Sequence, residues 1–454
     1  MQDAIVLFGV TGDLSRRKIL PSLDNLLAQG KFSSKLEIIG LATRKLSQNE
    51  FINYVGAGKN IKKHLNYTNC NFLDPESYKI LNNKLKNKQN ILFYLATPPS
   101  LYRTIITNLG KIDIASRNVN KGFNNIIIEK PFGIDLRSAK ELNRKILEFF
   151  SEKQIYRIDH YLGKETVQNI AAFRFSNGIF EPIWNRQYID HIIITVAEEI
   201  GVENRGKYFE EAGIVRDIVQ NHLLQILALI AMEPPSSFTA NAVRDEKVKV
   251  FRSIKKIPIS DTVRGQYIGY NKEINVAPDS KIETYFAARL FVENWRWAGI
   301  PFYIRTGKKL KEKKTEIVIT FKRPPTRMFN ALSGDMCGMP NQIIFLLQPE
   351  KSIIIKFGVK KPGPGMEMIP VDMSFNYSEY ITDKTISDYQ RLILDCFKGD
   401  LTLFARNDAV EECWKIIDPI EESWKKDSSN LELYKSGTWG PETFSIMNNE
   451  CQEF

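Results

Sequence analysis

The segment Arg157-Ile158-Asp159-His160-Tyr161-Leu162-Gly163-Lys164-Glu165 crowds ionisable and phenolic side chains more densely than packing requires. Lys and His as cations beside a Tyr hydroxyl donor are the mixture that holds a phosphate ester. Lys164 follows His160 by four residues, so helical winding would place both on one face with Tyr161 between them. A second group centres on His222, with Asp217, Gln220 and Asn221 just before it. Ile218, Ile226 and Leu229 share its helical face, and a lone histidine on such a stripe is more often a core group than a catalyst. Its polar company shifts the reading. A carboxylate such as Asp159 would fix the imidazole tautomer and make a general base.

Two further segments suit ligand binding. Gly9-Val10-Thr11-Gly12-Asp13-Leu14 follows an apolar strand and opens a helix, the arrangement in which glycines admit a phosphate to free backbone N–H groups. The spacing is GxxG and not GxGxxG, so the motif gains weight only from its place in the first strand–helix unit. Strand two ends in Thr43, Arg44 and Lys45, with no carboxylate to hold a ribose 2′-hydroxyl. Two cations there match a 2′-phosphate, which favours NADP; an exposed basic loop is the plain alternative. In Glu129-Lys130-Pro131-Phe132-Gly133, Lys130 stands just past a strand's carboxyl end, where open parallel sheets bind ligands. Taken alone, that segment reads as a structural turn, with Pro131 a candidate cis bond.

These residues need elements to position them. Strands are predicted at Ala4–Phe8, Leu36–Leu41, Ile91–Ala96 and Asn125–Ile128, with helices at Leu14–Gln29, Ser100–Leu109 and Arg137–Glu152 between them. Such alternation implies a parallel sheet covered on both faces. Beyond Tyr156 a long helix, Ala212–Ala231, precedes strands at Ala287–Phe291, Phe302–Arg305, Ile317–Phe321, Ile343–Leu347 and Ile353–Phe357, and helices at Asp388–Phe397 and Ala409–Trp424 follow. Consecutive strands imply a mainly antiparallel sheet. The expected fold is therefore α/β plus α+β: a Rossmann-type parallel-sheet domain over 1–159, then a larger domain over 160–454 with a big antiparallel sheet and helices.

The chain's 454 residues exceed one ordinary domain, and 43% hydrophobic with 26% charged residues excludes a disordered chain. The net charge of +10 suits an anionic small substrate or nucleic acid, but the densest basic run, Lys308–Lys314, contains Glu312 and reads as a solvated surface. The longest apolar run, Leu223–Met232 apart from Gln225, is short of the ~20 residues of a membrane helix, and no secretory leader is apparent, so a cytoplasmic protein without membrane partners is expected. Cys70, Cys337, Cys396, Cys413 and Cys451 form no CxxC pair, and His64, His160, His191 and His222 show no zinc spacing. Reduced thiols and no metal are expected.

The motifs GVTGDLSRRK, EKPFG, RIDHYLGKE, RDIVQNHLLQ, NWRWAGIPFYIRTGKK and GTWGP, in this order from Ile5 to Pro441, resemble the glucose-6-phosphate dehydrogenase family. The resemblance implies oxidation of glucose 6-phosphate at C1 to 6-phosphogluconolactone with hydride transfer to NADP, the first step of the pentose phosphate pathway. It implies His222 as the base removing the C1 hydroxyl proton, with Asp159 paired to it. His160, Tyr161 and Lys164 would hold the sugar phosphate, and Lys130 would reach both substrate and nicotinamide. Glu198 and Asp217 would bond sugar hydroxyls, while Lys308 and Lys313 would add positive charge. Gly9, Gly12, Asp13, Leu14, Ser15 and Arg16 would form the dinucleotide turn, with Arg44 and Tyr102 further along the coenzyme groove. A homodimer or dimer of dimers, formed through the exposed face of the second sheet, is the implied assembly.

Two departures stand out. The family often carries Gly-x-x-Arg after strand two, whereas Gly40-Leu41-Ala42-Thr43-Arg44 places the arginine one residue later, leaving open which cation meets the 2′-phosphate. The segment Thr326–Gln342 is short for the family. The competing readings are a sugar oxidoreductase of the glucose–fructose type, which lacks need of a phosphate pocket, and a basic nucleic-acid-binding protein, for which no binding motif is present.

Overall fold

Uninterrupted apolar strands such as Ala4–Phe8 and Ile126–Ile128 can be stable only where both faces of a sheet are covered. A computed structural model, which describes residues 3–112, 122–326, 340–366, 368–380, 386–427 and 430–444, builds them that way. The chain forms two compact units. The first comprises Met1–Lys164, Pro235–Asp245 and Ile386–Glu411; the second comprises Glu165–Pro234, Glu246–Thr385 and Glu412–Phe454.

The first unit is built on six parallel strands: β1 (Asp3–Phe8), β2 (Glu37–Ala42), β3 (Leu65–Asn69), β4 (Asn90–Leu95), β5 (Asn124–Ile128) and β6 (Ile155–Arg157). Their order, β3-β2-β1-β4-β5-β6, is the doubly wound dinucleotide-binding arrangement. Strands β3 and β6 escape a reading by pattern: Leu-Asn-Tyr-Thr-Asn is too polar and Ile-Tyr-Arg too short. Helix Gln48–Val55 shows local encoding plainly. Ser47 and Glu50 form a reciprocal cap at its start, and Gly56, at φ +61°, ends it.

In the second unit β7 (Ile189–Ala197), β8 (Thr262–Tyr267), β9 (Tyr285–Phe291), β10 (Pro301–Gly307), β11 (Lys314–Phe321), β12 (Gln342–Gln348), β13 (Ser352–Lys360), β14 (Met368–Asn376) and β15 (Leu431–Tyr434) form one sheet. The order is β14-β13-β12-β11-β7-β10-β9-β8-β15, antiparallel except for the β7–β10 and β8–β15 pairs.

The helical run Glu203–Ala231 is long and apolar enough to cross a membrane, although its longest unbroken apolar stretch is not. The difference arises because Asp217, Gln220, Asn221 and Gln225 interrupt it. In this fold 89% of its most apolar window is buried, as a core helix requires. The basic run after β10 is less solvated than its composition implies. Lys308 pairs with Glu198, Lys309 with Glu273 at 3.3 Å, and Lys314 with Glu316 at 2.8 Å. Cys70 and Cys396 are free and buried, and Cys413 is buried; Cys337, Cys451 and most of Thr326–Gln342 lie outside the described residues.

Candidate active site

In the first unit, β1 delivers the chain to Gly9 at φ +83°. A Cβ there would lie 2.5 Å from the Ala96 carbonyl oxygen, so only glycine lets the turn pass this close to the end of β4. The Gly9 N–H donates to the Leu41 carbonyl at 2.9 Å, and its own carbonyl accepts from the Gly12 N–H and the Ser15 hydroxyl at 2.9 and 3.0 Å. Ser15 is fully buried and therefore braces the turn from behind. The helix that follows is wider than expected, a π-turn over Ser15–Ile19 before regular winding from Leu20. Asp13 pairs with Arg17 at 2.8 Å on the surface, and Leu14 is the residue before the π-turn. After β2, the Arg44 guanidinium lies 4.6 Å from the Tyr54 ring centre and that of Arg16 lies 5.1 Å from it. One aromatic ring thus carries both cations. Lys45 beside them is exposed.

Strand β5 leads into Glu129 and Lys130, whose bond to Pro131 is cis. Tyr94 donates to Glu129 Oε1 at 2.6 Å, and Tyr102, itself buried, donates to the Glu129 carbonyl at 3.1 Å. Tyr102 thus shapes this turn. Burial pushes the Glu129 carboxyl up to about 7; the Tyr94 bond and Lys130 oppose that rise, and Asp159 adds to it.

The segment after β6 is a pair of turns, so the helical winding that would place His160 and Lys164 on one face is not formed. Leu162 N–H donates to the Asp159 carbonyl and Lys164 N–H to that of Tyr161, both at 3.1 Å; helix begins only at Glu165. Gly163 permits the turn, since a Cβ there would lie 2.9 Å from the Asp388 carbonyl oxygen. Asp159 is buried and accepts from the Tyr161 N–H at 2.9 Å. Tyr161 still stands between the two cations: His160 lies 5.0 Å from its ring and Lys164 Nζ 4.8 Å from it. His160 also stacks nearly parallel on Tyr389 at 6.4 Å, and Lys164 approaches Asp388 at 3.8 Å.

The second unit positions His222 at the heart of its sheet-covering helix. Val215–Leu223 is wound as a π-helix, and the Asn221 side chain donates to the Arg216 carbonyl five residues back at 2.8 Å. This wider winding alters the simple i±4 face expected for His222, which is fully buried. Asp217 accepts from the Tyr208 hydroxyl at 3.0 Å. The run starts at a break: Gly213 adopts φ +63°, and Glu283 accepts from the Val215 N–H at 3.5 Å. Burial raises the Glu283 carboxyl to about 7, with Glu421 adding and Arg264 opposing. Glu198 and the buried Lys308, at the ends of paired strands β7 and β10, form an ion pair, so Lys308 comes with its own counter-charge. Lys313 is exposed just before β11.

Pattern reading passed over Tyr54, Tyr94, Tyr389, Glu283 and Tyr208. The signal for Glu129 was available, a carboxylate at the end of a wholly buried strand. None existed for Tyr389, which reaches the Asp159–Lys164 turn from more than two hundred residues away in sequence.

Comparison with known proteins covers nearly the whole chain in two matches. Residues 6–169 match the description "Glucose-6-phosphate dehydrogenase, NAD binding domain" and residues 171–453 its C-terminal domain. The chain belongs to the glucose-6-phosphate dehydrogenase family. It is an oxidoreductase with that family's coenzyme-binding domain. It is 44% identical to the glucose-6-phosphate 1-dehydrogenase of Aggregatibacter actinomycetemcomitans, over 96% of this chain and 94% of the relative. It is 40% identical to that of Bacillus subtilis over 96% and 94%. A solved glucose-6-phosphate dehydrogenase in complex with its substrate glucose 6-phosphate superposes with a TM-score of 0.91 at 33% identity, covering 98% of this chain and 96% of the other. The Mycobacterium avium enzyme gives 0.87 at 34%, covering 100% and 99%. Levoglucosan dehydrogenase, at 13% identity and a TM-score of 0.53, over 94% of this chain and 98% of the other, shares the fold alone.

Proposed function

We propose that the chain oxidises glucose 6-phosphate at C1 to 6-phosphogluconolactone and passes the hydride to NADP. The observation that carries this reading is the Asp159–Lys164 turn, which gathers His160, Tyr161 and Lys164 in one place within a family member aligned over nearly its whole length. When bound, the nicotinamide supplies the hydride acceptor. The glycine cradle at Gly9 and Gly12, Ser15 behind it and the nearby Asp13 and Leu14 suit the dinucleotide's pyrophosphate. Arg44, held with Arg16 on the Tyr54 ring, is the cation for the 2′-phosphate, with Lys45 beside it.

His222 removes the C1 hydroxyl proton, and Asp159 supplies the counter-charge to the imidazolium that results. His160, Tyr161 and Lys164 hold the sugar phosphate; Glu198 and Asp217 orient sugar hydroxyls; Lys130 reaches substrate and nicotinamide. Lys308 sets the charge of Glu198, and Lys313 contributes longer-range attraction. Residues 1–159 serve the coenzyme and 160–454 the substrate. The enzyme works in the cytoplasm. It does so as a homodimer or dimer of dimers, an assembly supported by the exposed Met373 and Phe375 on edge strand β14.

Mixing the protein with NADP and glucose 6-phosphate should raise the absorbance band of NADPH. Unphosphorylated glucose should give far less. Equal rates on both sugars would remove the phosphate role and favour a plain sugar oxidoreductase.

A further inference from the structure

The coenzyme turn, Glu129 and Asp159 all follow carboxyl ends of strands in the first unit. A separate cavity of about 810 Å³ opens at the opposite end of the same sheet, where β5 begins at Asn124 and Asn125 and where Lys153 and Gln154 lead into β6. That volume lies within the ~300–1,000 Å³ of small-molecule sites. Its lining includes three cations, Lys153, Arg244 and Lys398, and no carboxylate. Lys153 and Lys398 are exposed at its rim, whereas Arg244 is only 4% exposed.

Arg244 is incompletely satisfied. Its Nε donates to the Ala240 carbonyl at 3.2 Å and one Nη to Asn241 Oδ1 at 2.9 Å, but Nη1 is buried without a partner and Arg244 forms no ion pair among the described residues. The carboxylates nearby are already engaged: Glu152 with Arg157 at 2.7 Å, and Asp408 and Asp245 with Arg406 at 2.8 and 2.6 Å. Burial, then the Arg406 guanidinium, lowers the Arg244 pKa, so an anion here would relieve a charge left without its own partner. Thr239, Ala240 and Asn241, at the start of the helix Ala240–Ser253, also line the cavity, and a helix N-terminus adds positive potential.

We propose that this cavity is a second anion site that binds a small molecule through an oligophosphate group. The unpartnered guanidinium Nη1 inside and two lysines at the mouth match several phosphate oxygens in a row, where a single carboxylate would leave the donors at the mouth unfilled.

The probe is tripolyphosphate, titrated into the full chain at low ionic strength and followed by calorimetry and by the shift in melting temperature. Arg244→Gln should weaken binding at this site roughly 10- to 100-fold, the loss expected for a charge-assisted bond. The exposed pair Lys153→Gln with Lys398→Gln should weaken it at least ~10-fold, and carries the test if the buried Arg244 variant does not fold. An Arg44→Ala, Lys164→Ala chain, altered only at the other end of the sheet, should keep this component. If both cavity variants bind tripolyphosphate as the wild type does, or if Arg44→Ala with Lys164→Ala abolishes all of its binding, the proposal is overturned.

Discussion

The glycine turn of the first unit and the His222 helix of the second handle charge in opposite ways. Around the turn, glycine leaves the backbone bare while the side chains of Asp13, Arg16, Arg44 and Lys45 remain at the surface. Along the helix, Asp217, Gln220, Asn221 and His222 are all buried, and His222 has no exposed surface at all. A phosphate is already charged and needs only donors and cations that close around it. A proton acceptor must have its pKa and tautomer set by fixed neighbours, and burial on a helix does that. The contrast predicts that damage to the phosphate-binding surfaces moves KM, whereas damage to the helix moves kcat.

The largest effect is expected at His222. His222→Asn should lower kcat by roughly 10²- to 10⁴-fold with little change in the dissociation constant of the sugar phosphate, as loss of a general base does. Near wild-type kcat would end the assignment of the base. Lys164→Ala comes next. It should raise KM for glucose 6-phosphate about 10- to 100-fold while leaving that for NADP in place, and a change confined to NADP would reverse the roles of the two surfaces. Replacing Arg44 and Lys45 together by alanine should raise KM for NADP far more than KM for NAD, by roughly tenfold or more. Equal changes for both coenzymes would detach the Tyr54-mounted cations from the 2′-phosphate.

The smallest expected effect is on stability and sharpens the comparison, because each unit buries a carboxyl raised to about 7, Glu129 in the first and Glu283 in the second. A carboxyl whose folded pKa lies above its unfolded value favours the folded state when protonated. That contribution is complete below about 4.5 and is lost as pH rises towards about 7. Glu283→Gln should therefore melt with the wild type in acid and above it in mild alkali, by an amount on the order of 2 kcal/mol. Thermal melts at the two pH values measure this. An unchanged difference across the range would mean that folding does not raise the Glu283 carboxyl.

Much of this was legible in the chain itself, and unevenly so. The apolar strands before Gly9 and before Glu129 announce a parallel sheet because only doubly covered strands tolerate such runs. The GxxG turn, the EKPFG and RIDHYLGKE segments and the helical stripe around His222 are local, and local patterns survive into the fold. The strands Leu65–Asn69 and Ile155–Arg157 do not announce themselves, since neighbours in the sheet and not their own composition hold them.

Sequence alone determined where backbone could approach a phosphate and which segments carried cations, a phenol and an imidazole. Tertiary structure decided their states. It set two tight turns at Asp159–Lys164, where helical winding would have put His160 and Lys164 on one face. It brought residues 386–411 back to the parallel sheet, placing Tyr389 against His160. It stood Arg16 and Arg44 on Tyr54, joined Lys308 to Glu198, widened the His222 helix and raised Glu129 and Glu283 by burial. Periodicity reports which face of a segment is apolar. Charge state, desolvation and ring contacts depend on groups far away in the chain, and only the folded arrangement sets those distances.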